Sequence, residues 1–231
     1  MSAHPVLMTS NPSMPGPPAA GGMAAATLAR SAASALAVLS KRVHPGWIAS
    51  LGADIAAFGA QRPALLDDLL LSRYDLRWPD LSAPTHGLEN LWLLPPGQVR
   101  RLCSARALYT WRDALNRCVM ADVRRKARAL VGDLAFQVLT GRPDKYPHSI
   151  TLPASLDSDE VCGLGWLQIR AALPWRDERS RRLVDLMLPP TPASAAPAHS
   201  AFDDHPLFMA DLPAMFPEHS WLFGSSLATT T

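Results

Sequence analysis

The sequence has no apolar run long enough to cross a bilayer. Its longest apolar stretch, residues 31–39, is far shorter than the roughly 18–20 residues that a membrane span requires, and Lys41 and Arg42 follow it. A signal peptide has its basic residues before the apolar region, whereas residues 1–29 contain neither Lys nor Arg. We therefore expect a cytoplasmic protein that has neither a membrane span nor a secretory leader.

Cysteine is also scarce, because the 231 residues include only Cys103, Cys118 and Cys162. An odd number of cysteines at wide spacing argues against a disulfide framework. None belongs to a closely spaced Cys or His pair of the kind that binds zinc. Residues 199–205 hold two His and two Asp, but the Pro/Ala-rich stretch beside them offers no rigid support. We expect no metal site and interpret the cysteines as small apolar residues.

Motifs of catalysis and cofactor binding are missing as well. The sequence contains no G-x-S-x-G, no phosphate-binding loop, no H-E-x-x-H and no G-x-G-x-x-G. The Gly-Leu-Gly at residues 163–165 is a fragment inside a helical pattern. Scattered Asp, Glu and His residues define no reacting centre. We therefore assign no catalytic residue, cofactor or metal ligand, and we expect a protein that is not an enzyme.

Helical periodicity runs through most of the chain, and no alternating strand pattern of useful length is present. Helices are predicted at residues 23–41, 45–61, 63–70, 98–121 with a bend near Tyr109, 123–139, 160–173 and 177–187. The oxygen of Asp157 or Ser158 is expected to cap the helix at 160–173. Residues 73–97 are rich in proline and are predicted to cross the surface as irregular chain. The fold class is mainly α, with one irregular bundle-like domain at residues 23–188.

The two ends of the chain differ from this domain. Residues 1–22 are dominated by Pro, Gly, Ser and Ala, so we expect disorder. Residues 189–200 are interpreted as a Pro/Ala linker. In the tail at residues 201–231 the apolar residues return in short clusters broken by proline. Such a tail either folds back into a groove of its own domain or docks onto a partner, and both arrangements stay open.

Apolar stripes predict which side chains are buried. Residues 45–61 carry Trp47, Leu51, Ile55 and Phe58 at helical spacing, which predicts an inward stripe. The inward residues predicted for the helix at 123–139 are Ala127, Leu130, Val131, Leu134 and Val138. Of the seven tryptophans, Trp47, Trp111 and Trp166 are expected in the core. The other four, in loops or at helix ends, either pin loops to the core or anchor a partner: Trp78, Trp92, Trp175 and Trp221.

Positive charge is concentrated in one part of a nearly neutral chain. The formal net charge is +2, yet residues 98–128 hold nine basic and two acidic residues and thus carry +7. These basic residues alternate with an apolar stripe formed by Leu108, Trp111, Leu115, Cys118 and Val119, which is typical of a core helix with a solvated basic face. Such a face could meet an acidic protein or nucleic acid. No helix-turn-helix, zinc-finger or RNA-binding motif accompanies it.

The segment LENLWLLPPGQVRRLCSARALYTWRDALNRCVMADVRRKARALVG, residues 88–132, resembles the central region of the SctK family (YscK/PscK type). The matching features are Leu91-Trp92-Leu93 before a proline turn, a Gln-led helix through Leu102 and Cys103, and the run ALNRCV. A second match is CGLGWLQIRAALPW followed by RSRRLVDLMLP. The HPGW at residues 44–47 is most similar to the HrpB-operon members. The resemblance spans about residues 45–189.

This resemblance implies a place in a bacterial type III secretion system, or injectisome. Members of the family are mainly helical accessory proteins of the sorting platform, without known catalysis. They lie at the cytosolic face of the inner membrane. There they bridge the inner-membrane ring protein, SctD, to the pod protein, SctQ, which connects to the stator SctL and the ATPase SctN. The same role is therefore expected for this chain.

Two surfaces are the candidates for partner binding. The first is a basic patch made of Arg100, Arg101, Arg124, Arg125 and Arg128. The second is a site made of Trp175, Arg179 and Arg182. A secretion chaperone or regulatory binding protein is the alternative function, although such chaperones are usually small, acidic and dimeric. A basic nucleic-acid-binding regulator is a further alternative.

Overall fold

The computed structural model describes residues 30, 32–35, 39–77, 87–141, 151–153, 155–173, 175–190 and 204–223. No strand occurs in these ranges, and the prediction of a mainly α fold is confirmed. The predicted disorder at 1–22, most of the predicted linker and Trp78 lie outside the described residues.

The described ranges contain eleven α-helices and two 3₁₀ helices. They are α1 (Pro45–Ala49), α2 (Ala53–Gln61), α3 (Pro63–Arg73), a 3₁₀ helix (Gly87–Leu93), α4 (Pro96–Thr110), α5 (Arg112–Arg117), α6 (Ala121–Val131), α7 (Asp133–Gly141), α8 (Ser158–Ala172), α9 (Glu178–Met187), α10 (His205–Met215), a short 3₁₀ helix (Pro217–His219) and α11 (Ser220–Phe223). Helical residues also occur at 30 and 32–35, before α1.

Helices α4 and α8 form the centre of the fold and make its most extensive contact. Cys103 on α4 and Cys162 on α8 are both buried. Gly165 lies directly against α4, where an added Cβ would come within 1.7 Å of the Cys103 carbonyl oxygen. The Gly-Leu-Gly fragment is therefore a packing feature, because only a residue without a side chain lets the two backbones approach this closely.

Aspartates begin the two C-terminal helices of the central domain. The Asp157 carboxylate accepts hydrogen bonds from the backbone N–H groups of Asp159 and Glu160, at 2.9 and 3.1 Å. The Asp177 carboxylate accepts one from the N–H of Arg179 at 3.1 Å. Each bond satisfies a helical donor that has no partner within its own helix. Asp157 thus confirms one of the two caps that the sequence predicts for α8.

Three predicted helices are each divided into two. The helix at 45–61 is broken at Gly52 and the helix at 123–139 at Gly132, where φ is +110° and +88°. Such positive φ angles favour glycine and end a right-handed helix. The helix at 98–121 ends at Thr110, close to the bend predicted near Tyr109, and resumes as α5. The periodicity was continuous across these glycines, so it did not reveal the breaks.

The segment before α4 is more regular than the sequence predicts. In place of irregular surface chain, the 3₁₀ helix Gly87–Leu93 buries Leu88, Leu91 and Trp92 against α9. The Glu89 carboxylate accepts a hydrogen bond from the backbone N–H of Arg176 at 2.7 Å. The successive apolar residues of this 3₁₀ helix are all buried because the helix packs beneath α9 and has no side that must face solvent.

Residues 42–47 contact both the segment before α4 and the end of α9. The Arg42 guanidinium donates to the carbonyl of Leu94 at 2.7 Å and to that of Trp92. The Trp47 indole N–H donates to the carbonyl of Leu188 at 2.9 Å. The backbone N–H of His44 donates to the Leu186 carbonyl at 2.7 Å. The HPGW motif therefore has a structural task, because it joins α1 to the last turn of α9.

The described part of the tail folds back onto the domain. Phe208 and Leu212 are fully buried, and Met215, Phe216 and Leu222 are nearly so. Helix α10 packs on α7, and α11 packs on the 3₁₀ helix Gly87–Leu93. The Phe208 ring meets that of Tyr109 edge to face, with 5.4 Å between centroids. Of the two arrangements open for the tail, residues 204–223 adopt the one within the chain.

A buried charge cluster attaches this tail to α4 and α5. The Asp204 carboxylate lies 2.7 Å from the Arg106 guanidinium and 3.3 Å from that of Arg112. The Tyr109 hydroxyl donates to the Asp211 carboxylate at 2.9 Å, and burial followed by this bond raises the pKa of Tyr109. Arg106 has 0% exposure. The prediction of a uniformly solvated basic face is therefore wrong for Arg106 and Arg112, because both compensate the charge of the tail.

Several side chains predicted to be inward are exposed instead. There are four of them: Ile55 and Phe58 on α2, Leu134 on α7, and Val119 before α6. Val119 is 94% exposed. By contrast, Ala127 and Val131 are buried as predicted. Helical spacing identifies an apolar face, but it does not show that the rest of the fold covers that face.

The tryptophans mostly pack as the sequence predicts. Trp166 is buried, and Trp47 and Trp111 are partly buried against the core. Of those left open, Trp92 is buried, and Trp175 and Trp221 are partly buried against the core. All six tryptophans in the described ranges therefore pack their segments against the core.

Acidification is expected to destabilise the fold through its histidines. Burial lowers the pKa of His44, His205 and His219, and the charge of Arg106 lowers that of His205 further. A histidine with a depressed folded-state pKa binds fewer protons in the folded state, so stability is lost as the pH falls below about 6.5. We expect the urea midpoint to fall between about pH 7.5 and pH 5.5, and His205→Leu to make this dependence shallower. An unchanged pH dependence in that variant would contradict the assignment to His205.

Candidate functional site

The two α4 arginines of the predicted basic patch serve contacts within the domain. Arg100 pairs with Asp159 at the start of α8 and donates to the Ser158 hydroxyl at 3.2 Å. Arg101 donates to the carbonyl of Val131 at 3.1 Å and so satisfies an acceptor at the end of α6. Its guanidinium occupies the space beside Gly132, where an added Cβ would lie 2.0 Å away. Both arginines thus fix α4 to neighbouring helices.

Arg124 and Arg128 of the same patch are arranged around one aromatic ring. Their guanidinium carbons lie 5.4 and 5.1 Å from the centroid of the buried Phe136 ring on α7. Arg124 also donates to the Leu115 carbonyl at 3.1 Å, and the Arg128 Nε lies 3.5 Å from a carboxylate oxygen of Asp133. Cation–π contacts of this kind restrict the conformation of the side chains without neutralising them.

The outer side of α6 carries three accessible cations. We call Arg125, Lys126 and Arg128 the basic face; all three are exposed. Arg125 pairs with Asp122 one turn earlier, with both side chains 76% exposed. Exposed pairs of this type contribute little to stability, so a partner carboxylate can replace them at small cost. Of the five predicted arginines, the structure thus places Arg125 and Arg128 outward, and Arg100, Arg101 and Arg124 in half-buried positions.

Trp175 of the second predicted surface packs inward. Its ring meets Trp166 edge to face, with 5.3 Å between the centroids, and its indole nitrogen is buried without a hydrogen-bond partner among the described residues. The Trp166 indole in turn donates to the Asp185 carboxylate at 2.6 Å. Burial raises the pKa of Asp185. Trp175 therefore supports the junction of α8 and α9 rather than projecting from it.

The two arginines of this surface lie on the outside of α9. Arg179 is exposed, and Arg182 is 42% exposed. Arg182 lies 3.4 Å from Glu178 and 3.6 Å from Asp75, which follows α3. Glu178 also pairs with Arg181, and the hydrogen bond from Arg181 lowers the pKa of Glu178. This second surface is therefore a mixed network of exposed charges, in which Arg182 links α9 to the end of α3.

Sequence reasoning missed two sets of residues. One is the buried cluster of Arg106, Arg112 and Asp204, whose partners lie 98 and 92 residues apart. The available signal was the acidic pair at residues 203–204, whose negative charge is opposite to that of the +7 segment at residues 98–128. The other is the exposed apolar surface on α2 and α3. The spacing predicts that Ile55 and Phe58 on α2 face inward, and it makes no prediction for the leucines of α3.

Within the described ranges no group of three or more His, Cys, Asp or Glu residues could hold a metal ion. Burial and then a contact with Cys162 raise the pKa of Cys103, so this thiol remains protonated and unreactive. In the part of the chain that the structure describes, no helix is both long and apolar enough to traverse a bilayer.

Comparison with known proteins places the chain in one family. The model of the family described as bacterial type III secretion protein (HrpB4) matches residues 18–218, so the match extends beyond residues 45–189 at both ends and includes α10. No curated protein and no solved structure matches the chain. The family match covers far more than half of the 231 residues and confirms the SctK-type resemblance. The chain therefore belongs to the HrpB4 family of bacterial type III secretion proteins.

Proposed function

We propose that this protein is a non-catalytic adaptor of the type III secretion sorting platform. It bridges the inner-membrane ring protein of SctD type to the pod protein of SctQ type, and through the latter it acts with the stator SctL and the ATPase SctN. Family membership supports a role in the secretion apparatus. The observation that carries the proposal is the basic face, an exposed set of cations on a helix whose other side is packed against the core.

The basic face is suited to an acidic protein surface. Helix α6 buries Ala127 and Val131 and turns Arg125, Lys126 and Arg128 to solvent. Complementary charges accelerate the encounter of two proteins and fix their relative orientation. Because the Phe136 ring restricts Arg128 before a partner arrives, less side-chain freedom is lost on binding. One of the two partners is therefore assigned to this face.

The outer side of α9 is assigned to the other partner. Arg179 and Arg182 lie there together with Glu178, and the packed pair Trp166 and Trp175 holds the helix from below. A surface with both signs of charge favours a partner with a specific pattern of carboxylates and cations. A bridging adaptor of this kind resides at the cytosolic face of the inner membrane and meets the membrane only through its partners.

Charge reversal tests the two assignments. The variant Arg125→Glu, Lys126→Glu, Arg128→Glu is expected to weaken binding to either the SctD-type or the SctQ-type protein at least about tenfold, equivalent to about 1.4 kcal/mol. Binding to the other protein should remain, because the second surface lies on a different helix. Pull-down followed by titration with the purified partners measures both affinities.

The complementary variant and a control complete the experiment. Arg179→Glu with Arg182→Glu should show the opposite selectivity, and Lys41→Glu, an exposed charge remote in sequence from both surfaces, should affect neither partner. Full affinity of all variants for both proteins would refute the proposal. Binding of DNA that weakens steeply with salt would instead favour the nucleic-acid-binding alternative.

A further inference from the structure

The hairpin formed by α2 and α3 exposes apolar side chains that no other part of the described chain covers. Six of the nine residues of α2 are Ala, Ile or Phe, yet none of its large side chains is buried. Phe58 is 50% exposed and Leu65 on α3 is 45% exposed. Ile55 and Leu69 are exposed as well. We call these four residues the hairpin stripe, and they are half of the large exposed apolar side chains in the described ranges.

Close packing within the hairpin turns these side chains outward. Gly59 lies against Leu66, so that an added Cβ would come within 2.6 Å of the Leu66 side chain. Leu66 and Leu70 point to the core and are buried. Helix α2 otherwise contacts only the short α1 to a comparable extent. An isolated helix of this length is not stable in water, so α2 depends on its contact with α3. The apolar side of α2 that faces away from α3 stays exposed.

Two arginines bracket the apolar part of α3. Arg62, Leu65, Leu69 and Arg73 recur at spacings of three, four and four, which places them along one side of the helix. The Arg62 guanidinium lies 5.9 Å from the Phe58 ring centroid. Both arginines are exposed, and within the described residues neither forms an ion pair. The two arginines are eleven positions apart, which corresponds to about 16 Å along a helix.

We propose that the hairpin stripe is a docking site for an amphipathic helix of a different protein of the secretion apparatus. That helix would present Leu-, Ile- or Phe-type side chains to Phe58, Leu65 and Leu69. It would carry carboxylates about three turns apart, which meet Arg62 and Arg73. Apolar contact supplies the affinity, and the two charged ends fix the register. This site is distinct from the basic face. It borders the second surface at the end of α3, where Arg182 contacts Asp75, and it goes beyond the proposed bridging role.

The positions of the charges argue against a second copy of this chain as the occupant. If two α3 helices packed antiparallel about a two-fold axis, Leu65 of one copy would meet Leu69 of the other. In that register Arg62 of each copy would lie near Arg73 of the other. Like charges would therefore oppose each other at both ends of the contact, which disfavours self-association. A partner with acidic ends has no such repulsion.

Photocrosslinking in the native host identifies the occupant directly. The full-length protein carries a photoreactive phenylalanine analogue at position 58 or, separately, at position 69, in cells that assemble the complete apparatus. We expect crosslinks to one other protein, mapping to a helix with an apolar stripe and carboxylates about eleven residues apart. The double variant Arg62→Glu, Arg73→Glu should lose this crosslink. The same analogue at Leu134, an exposed apolar position on α7, is the control and should not give it.

A binding experiment with the purified full chain tests the charge requirement. The probe is a synthetic peptide of the crosslinked segment, and its acidic residues are changed to lysine in a second peptide. We expect Phe58→Ser with Leu65→Ser to weaken binding of the acidic peptide at least tenfold. The Arg62→Glu, Arg73→Glu variant should exchange its preference to the lysine peptide, which loss of folding alone would not produce. Circular dichroism and urea unfolding verify that each variant is folded.

Several outcomes would overturn the proposal. Crosslinks only to another segment of this chain would show that the stripe is covered from within. Crosslinks between copies, together with dimers in sedimentation experiments, would show self-association. The absence of any crosslink at both positions, or a crosslinked segment without acidic residues, would also exclude the proposed occupant. None of these results bears on the charge-reversal test of the basic face, so the two proposals succeed or fail separately.

Discussion

Replacement of Asp204 by alanine is expected to lower the free energy of unfolding by about 3–5 kcal/mol, the cost of removing one partner from a buried ion pair. Asp204 accepts from both Arg106 and Arg112, and its own side chain is only 10% exposed. Without it, Arg106 beside the Phe208 ring and Arg112 beside the Tyr109 ring lose this carboxylate, and the desolvation of their charges is less well compensated. The first turn of α10 would lose its attachment to α4 at the same time.

Chemical denaturation measures this effect, and an exposed pair provides the control. Asp122→Ala removes the carboxylate that meets Arg125, where both side chains are 76% exposed, and should cost less than about 1 kcal/mol. Asp204→Asn retains the shape and part of the hydrogen bonding but not the charge, so an intermediate loss is expected. A cost for Asp204→Ala as small as that for Asp122→Ala would mean that water or another group compensates the arginines.

The substitution Gly165→Ala is expected to cost at least about 3 kcal/mol, the upper part of the range for an overpacked core. The added methyl group would overlap the carbonyl oxygen of Cys103, which is 1.7 Å from the ideal Cβ position. That oxygen belongs to the helical backbone of α4, so no change of rotamer relieves the overlap. The two central helices would have to move apart and leave gaps along their whole contact.

Gly97→Ala is the matched control for this prediction. Gly97 lies in the first turn of α4, and nothing lies within 4 Å of the position that a Cβ would occupy. The same substitution there should be neutral or stabilise the protein by up to about 1 kcal/mol, because alanine favours helix over glycine. Equal urea midpoints for the two variants would contradict the proposed role of Gly165 in the helix crossing.

The sequence predicted the parts of the fold that depend on neighbouring residues. Helical periodicity located α8 and α9 almost to the residue, and Asp157 signalled the start of α8, because a cap acts within one turn. The same reasoning could not find the ion pairs of Arg106 with Asp204, since 98 residues separate them. Nor could it show that Phe58 stays exposed, because periodicity defines an apolar face but not what covers it.

For the candidate site as well, the sequence predicted the local pattern but not the contacts that depend on the fold. Charge clustering correctly drew attention to residues 98–128, and Arg125 and Arg128 do lie on the surface. Which arginines serve the interior depends on three-dimensional neighbours, such as the α6 terminus that Arg101 contacts and the Phe136 ring beside Arg124. The second surface was proposed with Trp175 as an anchor, but its ring packs against Trp166. Its role in partner binding stays a prediction.

The return of the tail to α4 has a consequence for how the protein is made. Arg106 and Arg112 are translated long before Asp204, so their contacts with this carboxylate can form only late in synthesis. The ion pairs that attach α10 to α4 and α5 therefore form only after Asp204 has been translated, and a chain that stops before residue 204 should be less stable and more susceptible to proteases. Selection against incomplete chains would thus depend on whether Asp204 has reached these two arginines.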